Sequence, residues 1–102
     1  MQRIIVLFNL RPGVAAADYE AWAKRVDIPT VGGLRSIASF SVLKSTSLLG
    51  SSTAPPFQYI ELISIRDLAA FGADIATAEM QRVAAEFGQF ADAVFINTEP
   101  LA

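Results

Sequence analysis

Two periods alternate along the chain. From Arg3 to Leu10 the residues are apolar and often β-branched, and the run stops at Arg11-Pro12-Gly13. That predicts a strand ended by a turn. It shows little polar alternation, so cover is expected on both of its faces. Between Ala15 and Val26 the period changes. Tyr19, Trp22, Ala23 and Val26 fall at i, i+3, i+4 and i+7, one face of a helix. Asp18 and Glu20 open that helix and Lys24 and Arg25 close it, as its dipole favours. Pro29 and the Gly32-Gly33 pair are expected to end the region. Ser36–Ser45 reads as a second strand, with Ala38, Phe40 and Val42 on one parity. Thr46–Pro56 is rich in Ser, Thr, Gly and Pro and reads as a loop. Phe57–Ile65, FQYIELISI, is a third strand. A helix begins at Asp67, with Leu68, Phe71 and Ile75 on one face. Thr77–Ala91 continues or restarts it, with Met80, Val83, Ala84, Phe87 and Ala91 at helical spacing. Ala93–Thr98 is the last strand.

The order β-α-β-β-α-β predicts an α+β, ferredoxin-like fold: a four-stranded antiparallel sheet, order 4-1-3-2, with helices on one face. No repeat, low-complexity tail or linker divides residues 1–102, so one domain is expected. The other sheet face is left bare in this arrangement. Composition bears on that face. The chain is 53% hydrophobic and 18% charged, against roughly a quarter charged in ordinary soluble domains. Small domains have little interior in which to hide such a surplus. A homodimer packed through the open sheet face, a dimeric α+β barrel, would cover it.

Composition also removes chemistries. Without cysteine there is no disulfide, thiolate nucleophile, Cys-ligated zinc or iron–sulfur cluster. Without histidine there is no Ser-His-Asp triad and no imidazole base. No metal site is expected, since carboxylates alone would have to build it. Eight basic residues oppose ten acidic ones and lie scattered, so no nucleic-acid footprint is expected. The longest apolar run, Ile4–Phe8, is far short of a membrane span. Arg3, the apolar run and Ala15–Ala17 mimic a signal peptide, but Asn9, Arg11 and Pro12 interrupt it, and a first strand explains the run better. The cysteine-free chain fits the cytoplasm.

What chemistry remains rests on carboxylates, amides and phenols. Glu61 is the most informative residue, a carboxylate in mid-strand between Ile60 and Leu62. Burial there raises its pKa, which suits a general acid or base. The structural alternative is an ion pair with Arg3, Arg35 or Lys44. Topology gathers Asn9, Tyr19, Trp22, Tyr59, Phe87 and Phe90 toward one end, either as core packing or as a small-ligand pocket. On the pocket reading Glu61, Tyr59 and Asn9 are the catalytic candidates. Tyr19, Trp22, Phe40, Leu49 and Phe87 are then the substrate-binding ones. Asn9 has a second reading, as a cap for the turn that follows it. Asp27 stands at the end of a helix, where the dipole disfavours a negative charge, so a partner such as Arg35 or a backbone N–H is expected. Leu48 and Leu49 are apolar inside a polar loop, either a plug over the core edge or a lid.

In order along nearly the whole chain, IIVLFNLRPGV, YEAWA, DIPTVGGL, SFSVLKSTSLLG, APPFQYIELI and AFGADIATAEMQRVAAEF resemble the RedY/HapK-like proteins. Gly32 departs from the pattern, where an arginine is expected after PTV. The resemblance implies a dimeric α+β barrel and a small cofactor-free protein of pigment-type metabolism. Such a protein would act in cyclisation or dehydration of an aromatic or pyrrolic intermediate. Two other readings stand beside it. One is a cofactor-independent monooxygenase of the same barrel type. The other is a non-catalytic dimeric module that holds a reactive small molecule.

Overall fold

Side-chain alternation decides which face of each strand meets the helices. The computed structural model describes Met1 to Ala102. Strand β1 (Gln2–Phe8) leads to helix α1 (Ala16–Trp22), a π-helical turn (Ala23–Asp27) and a short helix α2 (Ile28–Gly32). Strands β2 (Ile37–Lys44) and β3 (Tyr59–Ile65) follow, then helices α3 (Leu68–Ile75) and α4 (Ala78–Phe90), and strand β4 (Val94–Thr98). The strands pair antiparallel in the order β2-β3-β1-β4. This is the expected α+β ferredoxin-like sheet, read from its opposite edge.

On the helix-covered face, Ile4, Val6 and Phe8 of β1 lie opposite Ile63, Glu61 and Tyr59 of β3. Phe40 and Val42 of β2 flank Ile63 and Glu61 from the other side. The outer face carries Ile5, Leu7, Ile60 and Leu62, all only half-buried, with Leu43, Val94 and Ile96 exposed. Both faces of the central strands are therefore apolar, but only one is covered within the chain. A register shift between Ile37 and Ser39 makes Ala38 a bulge, so Ile37 takes the inward position expected of Ala38.

One helix boundary differs from the expected one. Pro29 does not end the first helix, which runs on to Gly32 with Gly33 as its cap. A proline ring in a helix clashes with the carbonyl four residues back, here that of Arg25. The preceding turn is π-helical, with the Ile28 N–H donating to the Ala23 carbonyl five residues back, and the wider turn relieves that clash. Gly33 is needed for closeness, because a Cβ there would lie 2.8 Å from the Pro29 carbonyl oxygen. In the second half, the helix restarts. Asp67 caps α3 by accepting from the Ala70 N–H, and Thr77 caps α4 by accepting from the Met80 N–H.

The core joins the sheet to α1 and α4 through aromatic rings. Phe8, 1% exposed, stacks on Tyr59 at 5.4 Å and meets Tyr19 and Phe87 edge-on at 5.5 and 5.0 Å. Trp22 packs against Phe87 and Phe90 and donates its indole N–H to Glu86 at 2.8 Å. Phe8→Ala removes the ring at the centre of this cluster. It should lower stability by about 3–5 kcal/mol in urea denaturation, the range for a large aromatic cavity. A loss below about 1 kcal/mol would mean that the cluster does not carry the core.

Candidate functional site

The sheet and helices do not close fully on one another. A half-open cavity of about 280 Å³ lies between them, and eleven of its thirteen lining residues are apolar. The sheet supplies Ile4, Phe40, Ile63 and Phe95, and the far wall is built by Phe71 and Ile75 of α3 and Met80, Val83, Ala84 and Phe87 of α4. The two polar lining residues are both acids, Asp27 and Glu61.

Glu61 occupies the middle of the sheet, with Val6 and Val42 as its cross-strand neighbours. It is 5% exposed, and its Oε2 makes no hydrogen bond. Neither of the chain's two ion pairs involves it, so the alternative of a link to Arg3, Arg35 or Lys44 is not formed within the subunit. Burial pushes its pKa from the ordinary 4.5 up to about 8, and the charge of Asp27 adds to the rise. Asp27 is also 5% exposed. Its carboxyl makes neither of the ion pairs, so the predicted partner Arg35 does not hold it either. Burial lifts its pKa to about 6. Asp27 closes the π turn that Ala23 opens, both residues are buried, and Asp27 reaches the cavity. Near neutrality the coupled pair therefore holds about one proton between two carboxyls.

The other candidates fall in four places. Phe40 and Phe87 line the cavity. Tyr19 and Trp22 belong to the aromatic core behind it. The Tyr19 hydroxyl is buried without a partner, and burial raises its pKa, with Glu61 and Asp27 adding to the rise. Tyr59 lies further along β3. Its hydroxyl donates to Glu20 at 2.6 Å, and Glu20 pairs with Lys44 at 2.8 Å. Burial raises the Tyr59 pKa to about 12, and its bond to Glu20 adds to the rise. Hydrogen bonds from Lys44 and Tyr59 hold the Glu20 carboxyl below its ordinary value. Tyr19, Glu20, Lys44 and Tyr59 are among the residues that line a smaller depression of about 160 Å³ beside α1.

Asn9 and Leu49 lie outside the cavity. Asn9 is exposed; its amide donates to the Pro56 carbonyl at 3.0 Å, and its oxygen accepts from the Gln58 N–H at 2.9 Å. It clamps the start of β3 to the end of β1 rather than capping the turn after it. Leu49 is fully exposed and covers nothing. Asp27 is the site residue that sequence reasoning treated only as a helix-end charge seeking a partner. Its signal was present, an acid where the helix dipole disfavours one.

An α+β ferredoxin-like fold with an acidic pair in an apolar cavity is the class that sheet and site define together. Within that class, the chain belongs to the family described as REDY-like protein HapK, whose sequence model matches residues 2–101. It is similar to HapK from Hahella chejuensis, at 30% identity and a TM-score of 0.80, over 100% of this chain and 94% of that one. It also resembles SnoaB, a cofactor-independent oxygenase from Streptomyces nogalater, with 12% identity, a TM-score of 0.77 and 99% and 93% coverage. A dimeric ferredoxin-like protein from Thermobifida fusca aligns at 13% identity with a TM-score of 0.76, over 97% and 90% of the two chains. The last two likenesses show the fold alone. A search of curated protein sequences finds no match. No helix is long and apolar enough to cross a membrane.

The raised carboxyl pKa values have a consequence for stability. The folded chain keeps protons that the unfolded chain has released, so these groups stabilise the fold least at high pH. Stability should fall as pH rises from about 4.5 through 8, the ordinary and folded values for Glu61. Glu61→Gln removes that group's share of the fall. Relative to wild type, the variant should gain more than ~1 kcal/mol between pH 5 and 8.5 in urea denaturation, since each pKa unit is worth about 1.4 kcal/mol. A wild-type stability that is flat or rises over this interval would show Glu61 to be solvated or paired.

Proposed function

We propose that the protein binds a small aromatic or pyrrolic intermediate of pigment-type secondary metabolism in this cavity and steers its cyclisation or dehydration without a cofactor. The observation that carries the reading is Glu61, a carboxyl buried without a cation at an apolar cavity wall. A group so placed is available for proton transfer at neutral pH. Membership of the HapK family supports the metabolic setting.

In dehydration, protonated Glu61 gives its proton to the departing hydroxyl as the C–O bond breaks, and water leaves with the bonding pair. Ionised Asp27 takes the proton from the adjacent atom, and the electrons of that bond form the new double bond. Return of the proton from Asp27 to Glu61 restores the pair. Phe40 and Phe87 hold the flat substrate, and the enclosed geometry contributes by proximity. Tyr19 and Trp22 stiffen the wall behind. Tyr59 acts at a distance, by fixing Glu20 and the start of α1, and Asn9 fixes the loop before β3.

A second copy covers Ile5, Leu7, Ile60 and Leu62, giving a homodimer through the open sheet face, located in the cytoplasm. The dimeric Thermobifida fusca protein of the same fold supports that reading. Leu62→Glu places a charge in the middle of that face. It should shift the sedimentation profile from dimer to monomer while leaving the far-ultraviolet circular dichroism unchanged. A wild-type chain that sediments as a monomer would remove the dimer.

Turnover is tested with a panel of aromatic and pyrrolic carbinols, scored by mass spectrometry for loss of water. Activity should follow a bell-shaped pH profile with limbs near 6 and 8, the values for Asp27 and Glu61. Glu61→Gln should lower turnover by about 10²–10⁴-fold, as for loss of a general acid. Undiminished turnover in that variant would overturn the assignment. Oxygen uptake above the protein-free control with polyphenols would favour a monooxygenase instead. Binding without turnover would favour an accessory module.

A further inference from the structure

The charge of the cavity chooses among ligands of the right shape. Glu61 from β3 shares the cavity with Asp27 from the π turn, and the Tyr19 phenol from α1 lies in the core behind it. The parts of β1, β2, β4, α2, α3 and α4 that line the cavity bring no titratable group to it. The chain's two lysines, Lys24 and Lys44, line the smaller depression outside it, and Lys44 pairs there with Glu20. The cavity therefore holds acid without base, and Glu61 Oε2 lacks any donor.

We infer that the cavity takes a small, flat, apolar molecule carrying one basic nitrogen, held as its cation by Glu61 and Asp27, and that it rejects carboxylates and phosphates. This rests on the ligand-binding reading above and adds the charge of the ligand. A buried carboxylate with no counter-charge is destabilising. A ligand N⁺–H supplies both the missing charge and the missing donor, through a charge-assisted hydrogen bond. An anion in the same place adds like charge at low dielectric. The rest of the lining agrees. Phe40, Phe71, Phe87 and Phe95 present rings to the cavity, and aromatic faces attract cations. The volume of about 280 Å³ lies just below the ~300–1,000 Å³ of drug-sized sites, which limits the ligand to one or two fused rings. The same field favours the dehydration step, because departure of the protonated hydroxyl as water leaves positive charge developing on the substrate.

Three probes of one shape separate charge from fit: naphthylmethylamine, naphthylmethanol and naphthoate. Binding is read first on the wild-type chain, from the methyl resonances of Met80 and Val83, which line the cavity. The amine should bind at least about tenfold tighter than the alcohol at pH 8, a charge-assisted increment of one decade, and naphthoate should not bind. Amine affinity should rise from pH 6 to 8 as the pair loses its proton, with alcohol affinity flat. In the Asp27→Asn/Glu61→Gln double variant the amine should fall to the level of the alcohol. If naphthoate binds as tightly as the amine, or the amine no better than the alcohol, the charge inference fails while the cavity reading stands. If none of the three binds, the cavity reading itself fails and takes the inference with it.

Discussion

Taking a carboxylate out of water without giving it a partner is among the most costly arrangements in a protein interior, and this fold buries two carboxyls in one cavity, one of them with an oxygen that has no donor. Glu61 stands in the centre of the sheet on its helix-covered side, and Asp27 comes to the same space from the first helix. Neither is in an ion pair. The chain answers the cost by protonation, so their acidities move toward neutral pH. Replacing either acid by an apolar residue would relieve the strain on folding. On the proposed function, their use lies in what they do to a molecule placed against them.

The rest of the structure serves to hold that arrangement. The ring cluster of Phe8, Tyr19, Trp22, Tyr59 and Phe87 locks α1 and α4 onto the sheet at one end. Beyond it α3 and α4 stand off far enough to leave the cavity. The π turn relieves the ring of Pro29, and Asp27, its last residue, reaches the cavity. Tyr59, Glu20 and Lys44 close the outer side of α1 against the edge strand. The polar groups of this region thus divide into a satisfied set at the surface and an unsatisfied set inside.

Much of this was legible in the chain. The strict alternation of FQYIELISI exposes Glu61 as a charge on a buried parity, and the 3.6-residue spacing of Met80, Val83 and Phe87 marks the face that α4 turns inward. Strand order followed from the sequence of elements alone. What stayed hidden depends on contacts distant in sequence or on departures from regular period. A π turn shifts the helical register, and no regular periodicity reveals it, so Asp27 read as a loose end. The direction of Asn9 is set by Pro56 and Gln58, nearly fifty residues on. The Tyr59 hydroxyl is drawn away by Glu20, a pairing across two elements. Leu49 shows that an apolar residue in a polar loop need not touch the body at all.

Family membership places the chain beside HapK, and the proposed chemistry of the acidic pair requires neither histidine nor cysteine. Everything proposed for the cavity depends on Glu61 being unpaired and desolvated. The most direct test is a carbon-detected NMR titration of its side-chain carboxyl in the wild-type protein. A midpoint close to 8 is the predicted result, with a second inflection near 6 as Asp27 ionises. A single midpoint in the ordinary carboxylate range, about 4 to 5, would contradict the account.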